Sequence, residues 1–150
     1  MAPDDKQFSI SIDINAPVDR VYEVMSEVDR WPEWTASVTS IKRLDSGPFV
    51  VGSRAVIRQP KFPPALWTVT AIDGKRSFTW MNRAPGITVT AHHSITGYGN
   101  AATATLSLRY EGPLGGLLAR VTRGITNRYL AMEAKGLKAR SENPFFKVTI

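Results

Sequence analysis

The stretch Leu114–Arg140, LGGLLARVTRGITNRYLAMEAKGLKAR, decides the fold. Its apolar residues Leu114, Leu117, Leu118, Val121, Ile125, Tyr129 and Met132 recur at steps of three and four. That is the spacing of one long helix with a single apolar stripe. Upstream, from Ile41 to Tyr110, the chain is rich in β-branched and aromatic residues and broken by Gly, Pro, Asp and Asn, which reads as a set of strands. A sheet with one apolar face and a helix with one apolar stripe each bury what the other exposes. The expectation is an α+β fold: a curved antiparallel sheet of six to seven strands wrapped around the C-terminal helix, with one or two short helices after the first strand.

The individual elements follow from the pattern. Phe8, Ile10, Ile12 and Ile14 alternate with polar residues, giving a half-buried first strand. Asn15-Ala16-Pro17 ends it and supplies a capping side chain and a helix-starting proline, so a helix is predicted over about 17–27. Further strands are predicted over 36–44, 54–59, 66–72, 77–82, 87–96 and 102–111, the last two showing the clearest two-residue period. Pro60, Pro63 and Pro64 cannot lie inside a sheet and mark a stiff loop at an edge or cavity mouth. The 150 residues fit one domain with its core over about 7–141 and a frayed tail over 142–150.

Composition narrows the function. The chain has no cysteine, so disulfides, thiolate nucleophiles and cysteine metal sites are excluded. His92 and His93 are the only histidines, and as neighbours on a strand they point to opposite faces, which argues against a zinc site. No run approaches the roughly 20 apolar residues of a membrane span. The N-terminal MAPDDKQF is acidic and has no apolar signal core, so a cytoplasmic location is expected. Net charge is +6, and six basic residues against one acid lie between Gly115 and Ser141. The excess reads first as the solvated face of the helix, complementing its dipole; no nucleic acid partner is expected, and a weak peripheral membrane contact is the alternative.

The succession of an N-terminal strand, NAPVDRVYEVMSEVDRWPEW over Asn15–Trp34, several strands and a long amphipathic C-terminal helix resembles the START-like superfamily, the helix-grip fold. Within it the chain is most similar to the bacterial polyketide cyclase/dehydrase and lipid transport (SRPBCC) group, over about residues 7–141. Ala16-Pro17, the pair Trp31 and Trp34, and Pro85-Gly86 before a long strand carry the likeness. The resemblance implies a ligand cavity between sheet and helix, with Trp34 near one end of it, and any enzyme activity would be of cyclase or dehydratase type without metal or nucleotide cofactor.

If the sheet wraps the helix, alternation turns Ile57, Gln59, Trp67, Val69, Phe78, Trp80, Asn82, Val89, Ala91, His93, Leu106, Leu108 and Tyr110 inward, to meet Leu118, Val121, Ile125 and Tyr129 of the helix. An apolar lining with isolated polar groups is the composition of a small-molecule pocket, and also of an ordinary core. Together with Trp34, the candidate ligand-binding residues are Ile57, Gln59, Trp67, Trp80, Asn82, Ala91, His93, Leu106, Leu108, Tyr110, Leu118, Val121, Ile125 and Tyr129. His93 is the candidate catalytic residue, since an imidazole on an apolar face can exchange protons near neutral pH. Glu33 is read as the only acid near the cavity, acting first as a cap or ion-pair partner. No phosphate loop, Gly-x-Ser-x-Gly or catalytic triad is present. The expectation is a protein that binds a lipid, isoprenoid or aromatic polyketide; a cyclase/dehydrase using the same cavity and an interaction module docking through the basic helix are the alternatives.

Overall fold

The computed structural model describes residues 5–148. Strand β1 (Gln7–Ile14) leads into helix α1 (Val18–Ser26), a 3-10 turn over Val28–Arg30 and the one-turn helix α2 (Trp31–Trp34). Six strands follow: β2 (Ser40–Arg43), β3 (Arg54–Arg58), β4 (Ala65–Asp73), β5 (Ser77–Ala84), β6 (Ile87–Tyr98) and β7 (Ala101–Glu111). The chain ends in α3 (Gly115–Val121) and α4 (Arg123–Glu142). All seven strands form one antiparallel sheet in the order β1-β7-β6-β5-β4-β3-β2. A register shift between Val69 and Ala71 bends β4, as an extra residue in one strand does.

The alternation predicted for the long strands holds. Rows of inward side chains cross the sheet through the pairs Phe78–His93–Leu106, Trp80–Ala91–Leu108 and Asn82–Val89–Tyr110. Strand β2 is shorter than 36–44, because buried Thr35 and Ser37 bond to each other at 2.6 Å and the Val38 N–H closes a turn onto the Thr35 carbonyl. Asn15 does not cap α1 with its side chain; the Pro17 carbonyl takes the first helical N–H groups, and the Asn15 N–H donates to Glu142 Oε2 at 2.8 Å.

The single long helix of the sequence reading is two helices. Thr122 separates them, with φ −99° and ψ 8°, and its hydroxyl donates to the Leu118 carbonyl at 2.6 Å, the back-bonding by which a mid-helix threonine bends a helix. The apolar stripe is also out of phase with the buried face. Leu114, Leu117 and Val121 are exposed, Val121 by 70%, whereas Gly115, Ala119, Thr126, Leu130, Ala134 and Leu137 are buried. A second set at steps of three and four, made of smaller residues, is the one that meets the sheet.

The C-terminal tail is docked rather than frayed as far as it is described. The Val148 N–H donates to the Glu33 carbonyl at 2.8 Å and Phe146 packs on the core. Arg140, itself buried, donates to Phe146 O at 2.8 Å and to Glu33 Oε1 at 2.6 Å. Residues 149 and 150 lie outside the described part. One end of the interior is filled by aromatic rings: Trp31 lies 5.7 Å from Trp34 and 5.4 Å from Trp80, and Phe78 lies 5.4 Å from Trp80. Gly136 fits there because a Cβ would strike the carbonyl of Trp34.

Candidate functional site

Beyond those rings the sheet and the helices do not close on each other. A cavity of about 440 Å³ remains, within the range of small-molecule pockets. Its sheet wall is built by Ile57 and Gln59 at the end of β3, Ala65 and Trp67 of β4, Trp80 and Asn82 of β5, Val89, Ala91 and His93 of β6, and Leu106, Leu108 and Tyr110 of β7. Leu118 of α3, Thr122 between the two helices, and Thr126, Tyr129, Leu130 and Glu133 of α4 form the opposite wall. Ala91 stands in the row between Trp80 and Leu108, so a small side chain sits where a large one would fill the space.

The end away from Trp31 is bounded by Phe62 and Pro63 of the proline-rich β3–β4 loop and by Pro85 of the β5–β6 turn. Gly86 supplies the positive φ of 79° that a Pro-Gly turn requires at its second central position. Its carbonyl accepts from the Leu114 N–H at 2.8 Å, which ties the turn to the start of α3. A Cβ on Gly86 would also overlap the Leu114 side chain, so two features of the turn depend on glycine.

Most of the sequence-selected residues meet in this cavity: Ile57, Gln59, Trp67, Trp80, Asn82, Ala91, His93, Leu106, Leu108, Tyr110, Leu118 and Tyr129 all line it. Three do not. Val121 faces solvent and Ile125 is only half-buried and off the cavity wall, because the buried face of the helices runs one residue on, through Thr122 and Thr126. Trp34 is sealed in the filled end against Gly136, and its neighbour Trp31 is the tryptophan on the cavity. Trp31 is held there by its Nε1–H bond to the Met25 carbonyl, at 3.0 Å.

The cavity's acid is Glu133, not Glu33. Glu33 pairs with Arg140, and that hydrogen bond, helped by the charges of Arg140, Arg30 and Lys147, holds its carboxyl below the usual value of 4.5 against the opposing effect of burial. Glu133 projects from α4 onto His93, with Nε2 3.2 Å from Oε1. His93 is buried, stacks on Phe78 at 4.4 Å between ring centres, and leaves Nδ1 buried without a partner among the described residues. The tautomer that fits carries its proton on Nε2 and donates it to Glu133. The helix periodicity alone could have found Glu133, which lies seven residues after Thr126 and three after Leu130 on the buried set. His92 points to the outer face, where Nδ1 is 2.6 Å from Thr79 Oγ1.

Several other polar groups on the wall are partnered. The Asn82 amide donates to Leu66 O at 2.8 Å, and Tyr129 donates to Pro60 O at 2.5 Å, with burial raising its phenol above 10.0. Thr122 donates to Leu118 O, Thr126 to Thr122 at 3.3 Å, and Tyr110 therefore donates to Thr126 at 3.2 Å. The basic helix face is partly neutralised: Arg123 lies 3.7 Å from Asp5 and Lys138 2.6 Å from Glu142. Among the described residues no helix is long and apolar enough to cross a membrane.

The family described as polyketide cyclase/dehydrase and lipid transport matches residues 5–142. The chain belongs to that family. Its helix-grip fold is shared by solved structures at low identity. An aromatase/cyclase from a Streptomyces species superposes with TM-score 0.73 at 14% identity, covering 91% of this chain and 93% of the other. A START superfamily protein from Mycobacterium smegmatis gives 0.72 at 17%, covering 92% and 98%, and norcoclaurine synthase from Thalictrum flavum gives 0.71 at 14%, covering 91% and 93%. At these identities the likeness concerns the fold. No curated protein matches the sequence.

Proposed function

We propose that this family member binds an apolar or amphipathic small molecule, of lipid, isoprenoid or aromatic polyketide type, in the cavity between the sheet and helices α3 and α4. The observation that carries the reading is the 440 Å³ of space between walls that are mainly apolar. Emptying such a wall of water favours binding by about 25 cal/mol per Å² of apolar surface covered. Membership of a family described by polyketide and lipid ligands supports it. A panel of lipids and aromatic polyketides should include at least one that raises the melting temperature in a concentration-dependent way. A panel that shifts nothing, together with native mass spectra free of any co-purifying small molecule, would refute it.

The contact between His93 and Glu133 favours a second reading, in which the same cavity performs cyclase or dehydrase chemistry. An imidazole and a carboxylate in hydrogen-bond contact inside an apolar cavity can pass a proton to or from a reacting carbon or oxygen. Under this reading His93→Ala abolishes turnover of an aromatic polyketide while its affinity stays within a few-fold. Parallel loss of binding and turnover leaves the residue a structural role only.

A further inference from the structure

The cavity reading leaves open which head group a ligand carries, and the hydrogen bonds on its wall bear on that choice. His93 spends its Nε2 proton on Glu133, and Tyr110, Thr126 and Thr122 pass theirs along a chain that ends on a backbone carbonyl. Tyr129 and Asn82 likewise direct protons to the carbonyls of Pro60 and Leu66. What these side chains keep for a guest is acceptor capacity. Glu133 keeps most, because Oε2 has no hydrogen-bond partner among the described residues while Oε1 is held by His93. The donors without a protein partner, such as those on Trp67, Trp80 and Gln59, are neutral, and among the described residues no lysine or arginine lines the cavity.

From this we infer that the protein selects ligands whose polar end is an uncharged or cationic hydrogen-bond donor, an O–H or N–H group received by Glu133, and discriminates against carboxylate and phosphate head groups. This deepens the cavity reading and rests on it. An anionic head group would have to leave water for a site with no positive side chain and would stand against a carboxylate, whereas a hydroxyl gains a charge-assisted hydrogen bond. His93 acts here as a positioning residue: its Nε2–H fixes one carboxylate oxygen and so aims the other.

The test separates the inference from its foundation. Uptake of the neutral fluorescent dye 1-N-phenylnaphthylamine reports whether the cavity takes an apolar guest at all. Displacement of that dye by 2-naphthol and by 2-naphthoate, which share a ring system, reports the head-group preference. The wild type should bind naphthol at least about tenfold more tightly than naphthoate, the scale of a hydrogen bond to a charged group. Because naphthoate also loses more hydration, the deciding comparison is Glu133→Gln, which keeps shape and removes the charge: the naphthol-to-naphthoate ratio should fall to about a third of its wild-type value or less. A ratio unchanged by Glu133→Gln, naphthoate binding as well as naphthol, or naphthol failing to displace a bound dye overturns the head-group inference and spares the cavity. A protein that does not take up the dye overturns both.

Discussion

The two ends of this interior are lined from the same strands and the same helix, yet one is solid and the other hollow. At the solid end Trp34, Trp80, Phe78 and Leu137 are each at most 2% exposed, and α4 comes so close to α2 that only glycine fits at 136. At the hollow end the corresponding positions carry Ala91, Thr122, Thr126 and Glu133, whose side chains are small or bonded to each other and to His93. Packing at crystal-like density requires volume from both walls, and here the second wall does not supply it. The contrast assigns stability to one end and binding to the other.

Substitutions at the solid end should therefore be felt as stability and those at the hollow end as affinity. The largest effect is expected from Trp34→Ala, which empties a closed site and should lower the unfolding free energy by about 3–5 kcal/mol in urea titrations. Gly136→Ala drives a methyl group into the Trp34 carbonyl and should lower it by about 1–3 kcal/mol, with no cavity created. An unperturbed midpoint for either variant would show that the solid end is not where the fold is held.

The clasp between Arg140 and Glu33 ranks next. Glu33 is about one-third exposed, so Arg140→Met should cost about 1–2 kcal/mol, less than a fully buried pair would. Its pH signature follows from the lowered carboxyl of Glu33. The pair stabilises the fold above the ordinary value of 4.5, and that contribution is lost as the pH falls through the lower folded value. Melting temperatures measured from pH 6 downward should drop less steeply for Glu33→Gln than for the wild type; Glu142, lowered by Lys138 and the Asn15 N–H, keeps some slope in both. The smallest stability change belongs to Ala91→Phe, which grows into empty space. It should change the unfolding free energy by less than about 1 kcal/mol while removing ligand binding.

The same contrast explains how much was legible in the sequence. Strand alternation put Trp80, Ala91, His93, Leu108 and Tyr110 on one face, because a two-residue period has one phase and each inward row is fixed by its neighbours. Helix phase was harder. Two stripes at steps of three and four overlap between Leu114 and Leu137, and the more apolar one faces water over α3. Reading hydrophobicity chose Val121 and Ile125; reading size would have chosen Thr122 and Thr126, and the helix period that runs through them would have added Glu133. A wall that leaves a void is made of small and polar residues, so the helix face with the least apolar signal is the one that lines the site. Trp34 is placed near the cavity by the family resemblance alone; one helical turn separates it from Trp31, and which of the two rings looks inward depends on the pitch of a four-residue helix.

The central claim is that the hollow end admits a guest that the solid end could not. Fluorescence titration with 1-N-phenylnaphthylamine, run side by side on the wild type and on Ala91→Phe, tests it most directly. The account expects saturable enhancement at one dye per chain for the wild type and none for Ala91→Phe at equal melting temperature. Equal enhancement in both proteins, placing the dye on an outer surface such as the exposed Leu114, Leu117 and Val121, or no enhancement in either, would contradict it.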